Sequence, residues 1–366
     1  SSVVVLGSGA SPGVPALRCL LQDPIQCHVC AQYDDPSRQR NVRNNVSVMV
    51  RFAHPDGRLR NILVDCGKTF RSSVIKQFRE HRIRSVDAIL LTHAHADAIG
   101  GLDDVREFAS QACWNRESTR RPMPIYVSEE CFTVVRKSFP YLVNRPKGMY
   151  VAAIDWRVFQ PGDVLSVEGL RVETIPVHHG HMDCMAFLFG DLPGTGASPP
   201  PPPAFRRLAY LSDVVSVAEE PLARIRAFQP EILFVDALLR DKPFPSHFSL
   251  RQAFQFAWQL PRALRHVVAV GLSHDIDYYG EAEAAMCDRA RWEPPTSTDG
   301  GEGGEEERKA GDVGGAAAAT TVDEHCSSGT ATAEPAAGLT DGVKRAGETE
   351  PRFDVVQLAF DGMVLP

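Results

Sequence analysis

Leu91-Thr92-His93-Ala94-His95-Ala96-Asp97-Ala98 directly follows the apolar run at residues 86–91. Such a run suits a buried strand, and it breaks into alternating small and ligating residues. In an extended loop side chains repeat every two residues, so His93, His95 and Asp97 can converge on one side. Two neutral imidazoles and a carboxylate suit zinc or a similar borderline divalent ion. Ala98, next to Asp97, offers no donor atom at all.

Further ligating residues stand at or near the ends of other strand-like runs: His178, His179 and His181 in Pro176-Val177-His178-His179-Gly180-His181, Asp213 after Tyr210-Leu211-Ser212, and His274 in Gly271-Leu272-Ser273-His274-Asp275. His247 lies in Pro245-Ser246-His247-Phe248-Ser249, just before a helical pattern. A single histidine of this kind is usually structural; several beside an HxHxD loop point to one centre. Cys19, Cys27 and Cys30 form a separate cluster with a Cys-x2-Cys pair, a zinc-ligand spacing that needs a fourth donor from elsewhere.

The remaining pattern sets these residues in an α/β frame. Strands are expected at residues 3–6, 46–51, 61–64, 88–91, 125–127, 164–167, 170–175, 185–189, 207–211, 232–235 and 266–270, with helices at 69–80, 219–228 and 249–260. Two strand-rich halves, each carrying helices, predict two mixed sheets packed face to face with helices outside. Residues 1–292 form the main domain, with a proline-rich loop at 192–204. Residues 293–351, rich in Gly, Ala, Thr and Glu, cannot bury enough apolar area and are expected to be disordered. His325 and Cys326 fall inside that stretch and are discounted as ligands; residues 352–366 regain a strand pattern that completes the domain.

The chain has 366 residues, a net charge of −7 and no apolar run near the ~18 residues a membrane span needs. A soluble, cytoplasmic protein is expected, with no membrane partner and no extensive nucleic-acid surface. The basic spots at 38–43 and 116–121 are explained by solvated faces at least as well as by phosphate binding. Nine cysteines without a secretory signal read as thiols or metal ligands rather than disulfides. A homo-oligomer is left open.

Together these motifs resemble the metallo-β-lactamase superfamily, and more narrowly its branch with the phosphoribosyl cyclic phosphate phosphodiesterase. The resemblance rests on residues 6–15 with the cysteines after them, Leu63-Val64-Asp65-Cys66-Gly67, the HxHxD loop with Gly101-Leu102-Asp103-Asp104, the segments around His179, Asp213, His247 and His274, and Phe360-Asp361-Gly362-Met363. It implies the αβ/βα sandwich fold. It also implies that His93, His95, His179 and Asp213 hold the catalytic metal, Asp97 belongs with a second metal, and Asp65 orients a ligand histidine. His247 would act on the substrate as general acid or phosphate contact.

The departures from that family pattern are Ala98 and Gly271, each standing where the family carries a second-metal histidine. They predict a single catalytic metal, zinc with manganese as the alternative, and leave Asp97 free to work on water. His274 then joins Cys19, Cys27 and Cys30 around a structural zinc; the competing alignment gives His274 to the catalytic site and His28 or Asp277 to the cysteines. The expected activity is hydrolysis of a small phosphodiester, cyclic or open-chain, by metal-activated water. The rivals are a thioester or acyl hydrolase, a non-catalytic metal-binding protein, and, ranked below them, an RNA-processing enzyme. Arg106, beside Asp103 and Asp104, reads first as a surface ion pair.

Overall fold

Val3, Val4, Val5 and Leu6 are all buried, which a strand achieves only when both faces of its sheet are covered. The computed structural model describes residues 1–109, 122–145, 151–193, 206–280, 353 and 355–365. Along the chain run β1 (Ser2–Gly7), β2 (Ser47–Ala53), β3 (Leu59–Val64), β4 (Ala88–Leu90), β5 (Met123–Ser128) and β6 (Ile154–Phe159). They continue as β7 (Val164–Val167), β8 (Leu170–His179), β9 (Met182–Phe189), β10 (Leu208–Leu211), β11 (Ile232–Asp236), β12 (His266–Val270), β13 (Val355–Leu358) and β14 (Val364–Leu365).

Among the described residues these make two seven-stranded mixed sheets, ordered β14-β1-β2-β3-β4-β5-β6 and β13-β12-β11-β10-β9-β8-β7. In each, antiparallel pairing on one side gives way to parallel pairing on the other, from β3 to β6 and from β10 to β13. Strand alternation sorts the side chains into layers. Val3, Val5, Val48 and Ile62 of one sheet meet Val172, Phe187, Phe234 and Val268 of the other between the sheets. Val4, Leu6, Met49 and Leu63 point the opposite way, onto a helical layer. Ile225, Ala253 and Phe254 of the helices Glu219–Phe228 and Leu250–Trp258 cover the outer face of the second sheet. The expected sandwich of two mixed sheets with helices outside is the fold observed.

Several elements depart from the sequence reading. The helix expected at 69–80 is present over residues 70–80 and departs only in widening into a π-turn at Val74–Phe78. The strand β6 and the helix Glu129–Ser138, capped by Ser128 onto Cys131, have no counterpart in that reading. The closing segment is two strands rather than one: β13 lies parallel to β12 in the second sheet, and β14 pairs with β1 in the first. Gly362, at φ +94°, makes the turn that carries the chain between sheets, a conformation L side chains rarely adopt. The proline stretch 194–205, the basic spot at 116–121 and residues 293–351 lie outside the described residues. No helix of the described residues is long and apolar enough to cross a membrane.

Candidate metal centre

The carboxyl ends of the parallel strands in both sheets carry the polar residues, as open α/β sheets tend to place their ligands. Asp65 follows β3, His93 to Asp97 follow β4, Asp213 follows β10, Asp236 ends β11 and Gly271 follows β12. Asp65 and Asp213 adopt φ of 61° and 52°, a left-handed conformation costing of order 1–3 kcal/mol that persists only where surroundings enforce it.

Three imidazoles converge. The ring centroids of His93, His95 and His179 lie 4.8, 5.2 and 5.1 Å apart pairwise, and ligating atoms of all three fall within 4.8 Å of one another. Strand alternation chooses His179 over its neighbour: His179 points inward and is buried, whereas half-exposed His178 pairs with Asp183 at 3.5 Å. His181, at the turn between β8 and β9, belongs to none of the ligand groups. Asp213 meets the same site, grouped with His179 and with His93.

Hydrogen bonds set the ring tautomers. His179 Nδ1 donates to the Ser246 carbonyl at 2.8 Å, which leaves Nε2 as the lone-pair nitrogen. His93 Nδ1 contacts the Thr92 hydroxyl at 2.9 Å, and that hydroxyl donates to Asp65 at 2.8 Å. Asp65 therefore reaches the ligand histidine through Thr92 rather than directly, because its other oxygen is taken by the Thr92 amide, also at 2.8 Å. Burial pushes His93 towards the neutral form a ligand must have. Burial alone would raise Asp213, but His93, His247 and His179 around it hold its carboxyl below the usual range.

Two buried atoms here have no hydrogen-bond partner, His93 Nε2 and Asp97 Oδ1. An orphaned imidazole nitrogen aimed among two further imidazoles and a carboxylate is the donor arrangement of a divalent cation site. These residues fit a metal.

Asp236 is the functional residue the sequence reading misses; its only signal is a carboxylate at a strand's end. Its Oδ2 lies 2.7 Å from His247 Nδ1 and accepts the Val214 amide at 3.0 Å. Burial opposes the His247 charge, yet the bond to Asp236 and the fields of Asp236 and Asp213 raise its pKa to about 9. His247 and Asp97 share the cleft with Asp213, and Gly9, Ala10, Ser11, Ala98 and Gly271 form donor-free or short-chain walls. Gly271 has φ +75°, and a Cβ there would collide with Asp236 Oδ1.

The cysteine cluster gathers Cys19, Cys27, Cys30 and His274, whose ligating atoms fall within 4.8 Å of one another. His274 Nδ1 lies 3.4 Å from Cys19 Sγ and 3.2 Å from Cys27 Sγ. The rival donors are engaged elsewhere: His28 pairs with Asp277 at 3.4 Å, and Asp277 accepts Asn41 at 2.8 Å. Burial, with Cys27 and Cys19 alongside, pushes the Cys30 thiol up to about 12, so it is a bound cation that would let this sulfur ionise. Three sulfurs and one imidazole fit a tetrahedral zinc set.

Arg43 corrects the reading of residues 38–43 as a solvated face, for it is buried. Its guanidinium donates to the Ser273 and Ile276 carbonyls, both at 2.8 Å, and so grips the loop that presents His274. Arg106 pairs with Asp103, as the ion-pair reading has it.

An αβ/βα sandwich with a histidine and aspartate centre at its strand ends defines a class of metal-dependent hydrolases. Residues 60–270 match the Beta-lactamase superfamily domain, and the chain belongs to that family. Among solved structures, a diphosphatase from the PhnP family superposes with a TM-score of 0.62 at 24% identity, covering 100% of this chain and 97% of that one. Zinc-bound PqqB from Methylobacterium extorquens superposes at 0.57 and 18% identity, covering 80% and 96%. A curated relative, the octanoyltransferase of Porphyromonas gingivalis (strain ATCC BAA-308 / W83), is 26% identical over 278 residues, 76% of this chain. The chain spans about half the length of that relative, 47%.

Proposed function

We propose that the chain is a metal-dependent hydrolase that cleaves small phosphodiesters, with His93, His95, His179 and Asp213 holding one catalytic ion and Cys19, Cys27, Cys30 and His274 holding a structural zinc. The observation that carries the reading is the His247–Asp236 pair beside the three imidazoles: Asp236 lies 2.7 Å from His247 Nδ1, and the His247 ring centroid stands 4.7 Å from that of His179. Zinc suits the catalytic donor set, with manganese as the alternative. Once bound, a divalent ion lowers the pKa of a water towards ~7 and polarises a phosphoryl oxygen.

The chain's own residues supply the proton transfers. Asp97 Oδ1, without a hydrogen-bond partner, takes the proton of the attacking water. The water's oxygen bonds to phosphorus, the bond from phosphorus to the leaving alcohol breaks, and His247 gives its proton to that alcohol's oxygen. Asp236 fixes the His247 tautomer and stabilises its cation. The products are a phosphomonoester and an alcohol. The diphosphatase neighbour's phosphoryl substrate accords with this chemistry.

A second reading, hydrolysis of a thioester or other acyl substrate, draws on the octanoyltransferase relative, whose name describes acyl chemistry. Parallel assays of a cyclic nucleotide, an aryl phosphodiester and an acyl thioester separate the two. Turnover of the phosphodiesters is the expected result, lost for both in Asp97→Asn and for the cyclic nucleotide in His247→Asn; activity confined to the thioester would replace the phosphodiester reading.

A further inference from the structure

His247 is delivered by a four-residue turn, Phe244-Pro245-Ser246-His247, whose first and last residues bridge each other. Ser246 in this turn fixes the His179 tautomer through its carbonyl. Phe244, at the turn's start, places its ring centroid 5.8 Å from that of His247, tilted by 48°. It is 42% exposed, and no other phenylalanine among the described residues is exposed. Leu17, Leu21 and Ile75 are more exposed still, and scattered apolar residues of that kind need no explanation. What separates Phe244 from them is ring contact with a residue of the cleft.

The turn is anchored on its carboxyl side. Phe248, next to His247, is tied to Val214 by its amide at 2.6 Å, and Ser249 caps the helix Leu250–Trp258 with Gln252 completing the box. The phenyl ring stands partly open to solvent beside His247.

We propose that Phe244 is a specificity residue of this site, seating a planar aromatic group carried by the leaving alcohol of the phosphodiester. The inference rests on the phosphodiester reading. If His247 protonates the leaving oxygen, the leaving alcohol lies against His247, and a group attached one or two bonds further on reaches the Phe244 ring. Stacking of an aryl ring or nucleobase on an aromatic side chain tolerates many ring types, because each presents a π face. The favoured substrates are therefore phosphodiesters of ring-bearing alcohols rather than of saturated ones.

The metal-loaded full chain is assayed with two methyl phosphodiesters matched in bulk, one of benzyl alcohol and one of cyclohexylmethanol, by release of the ring-bearing alcohol. A nucleoside 5′-methyl phosphodiester distinguishes a nucleobase from a simple phenyl ring. The expected result is a roughly tenfold preference in kcat/KM for the benzyl ester, carried by KM. Phe244→Tyr keeps that preference, whereas Phe244→Leu and Phe244→Ala abolish it with metal content unchanged. Equal kcat/KM for the two esters in the wild type, or a preference that survives in Phe244→Ala, overturns the assignment of Phe244. Failure to hydrolyse any of the phosphodiesters, with thioester turnover present, overturns the phosphodiester reading and this inference together.

Discussion

Asp236 Oδ1 occupies the volume into which any side chain on Gly271 would project. The glycine is thus more than a missing ligand. Its left-handed backbone and the anchored carboxylate beside it leave no room for a donor on that wall. With Ala98 opposite, the cleft offers Asp97 and Asp65 outside the first donor set and the His247 pair, and both Asp65 oxygens are taken by Thr92.

Elemental analysis is therefore expected to find about two metals per chain, one catalytic and one among the cysteines. Gly271→His should not add a third, and it should lower Tm, because the new side chain displaces Asp236. A third equivalent in the wild type would contradict the single-ion centre.

The acid role of His247 predicts a dependence on the leaving group. His247→Asn and Asp236→Asn should reduce kcat by about 10²–10⁴ for alkyl esters and far less for nitrophenyl esters, whose oxyanion leaves unaided. A uniform loss across both classes would point to a purely structural pair.

Thr92 links Asp65 to His93, and Thr92→Val removes that hydroxyl while keeping its volume. Catalytic-metal affinity should weaken about 10–100-fold, measured by chelator competition, with the cysteine-bound metal retained. Cys27→Ser should show the complementary pattern: one metal lost, a lower Tm, and the imidazole site still able to load.

Asp361 provides a pH signature. Burial raises its carboxyl to about 6, against the bonds it accepts from the Asn44 amide and from the Ser8 amide and hydroxyl. The folded state therefore binds the proton more tightly than the unfolded chain does. That contribution to stability is complete below pH ~4 and is lost as pH rises through about 6. Relative to Asp361→Asn, the wild type should gain about 1 kcal/mol between pH 7 and pH 5, read from denaturant midpoints.

Much of the site is legible in the chain itself, since its ligands sit at strand ends where alternation dictates direction. His179 is separable from His178 by that rule, and the cysteine spacing announces a thiolate cluster. What escapes is what only tertiary packing creates. Asp236 is an ordinary acidic residue until β11 brings it to His247, and Arg43 looks solvated until the 273–276 loop closes over it. The edge strand β6 alternates Ile154, Trp156 and Val158 with charged neighbours, a period-two signal, but Ile154 and Trp156 are only partly buried, Val158 is exposed and Phe159 alone is buried in the core. The closing crossover is hidden because its partners, β12 and β1, lie at opposite ends of the fold's sequence order.

The bond between Ser8 and Asp361 joins residues 353 positions apart. Ser8 leads directly into Gly9, Ala10 and Ser11, which wall the cleft. During synthesis, every metal ligand from Cys19 to His274 emerges well before Asp361 does. A nascent chain thus carries a full set of donors before it has a finished cleft, and arrest of translation anywhere in residues 293–351 yields a product that has its ligands without the clasp on their outer wall.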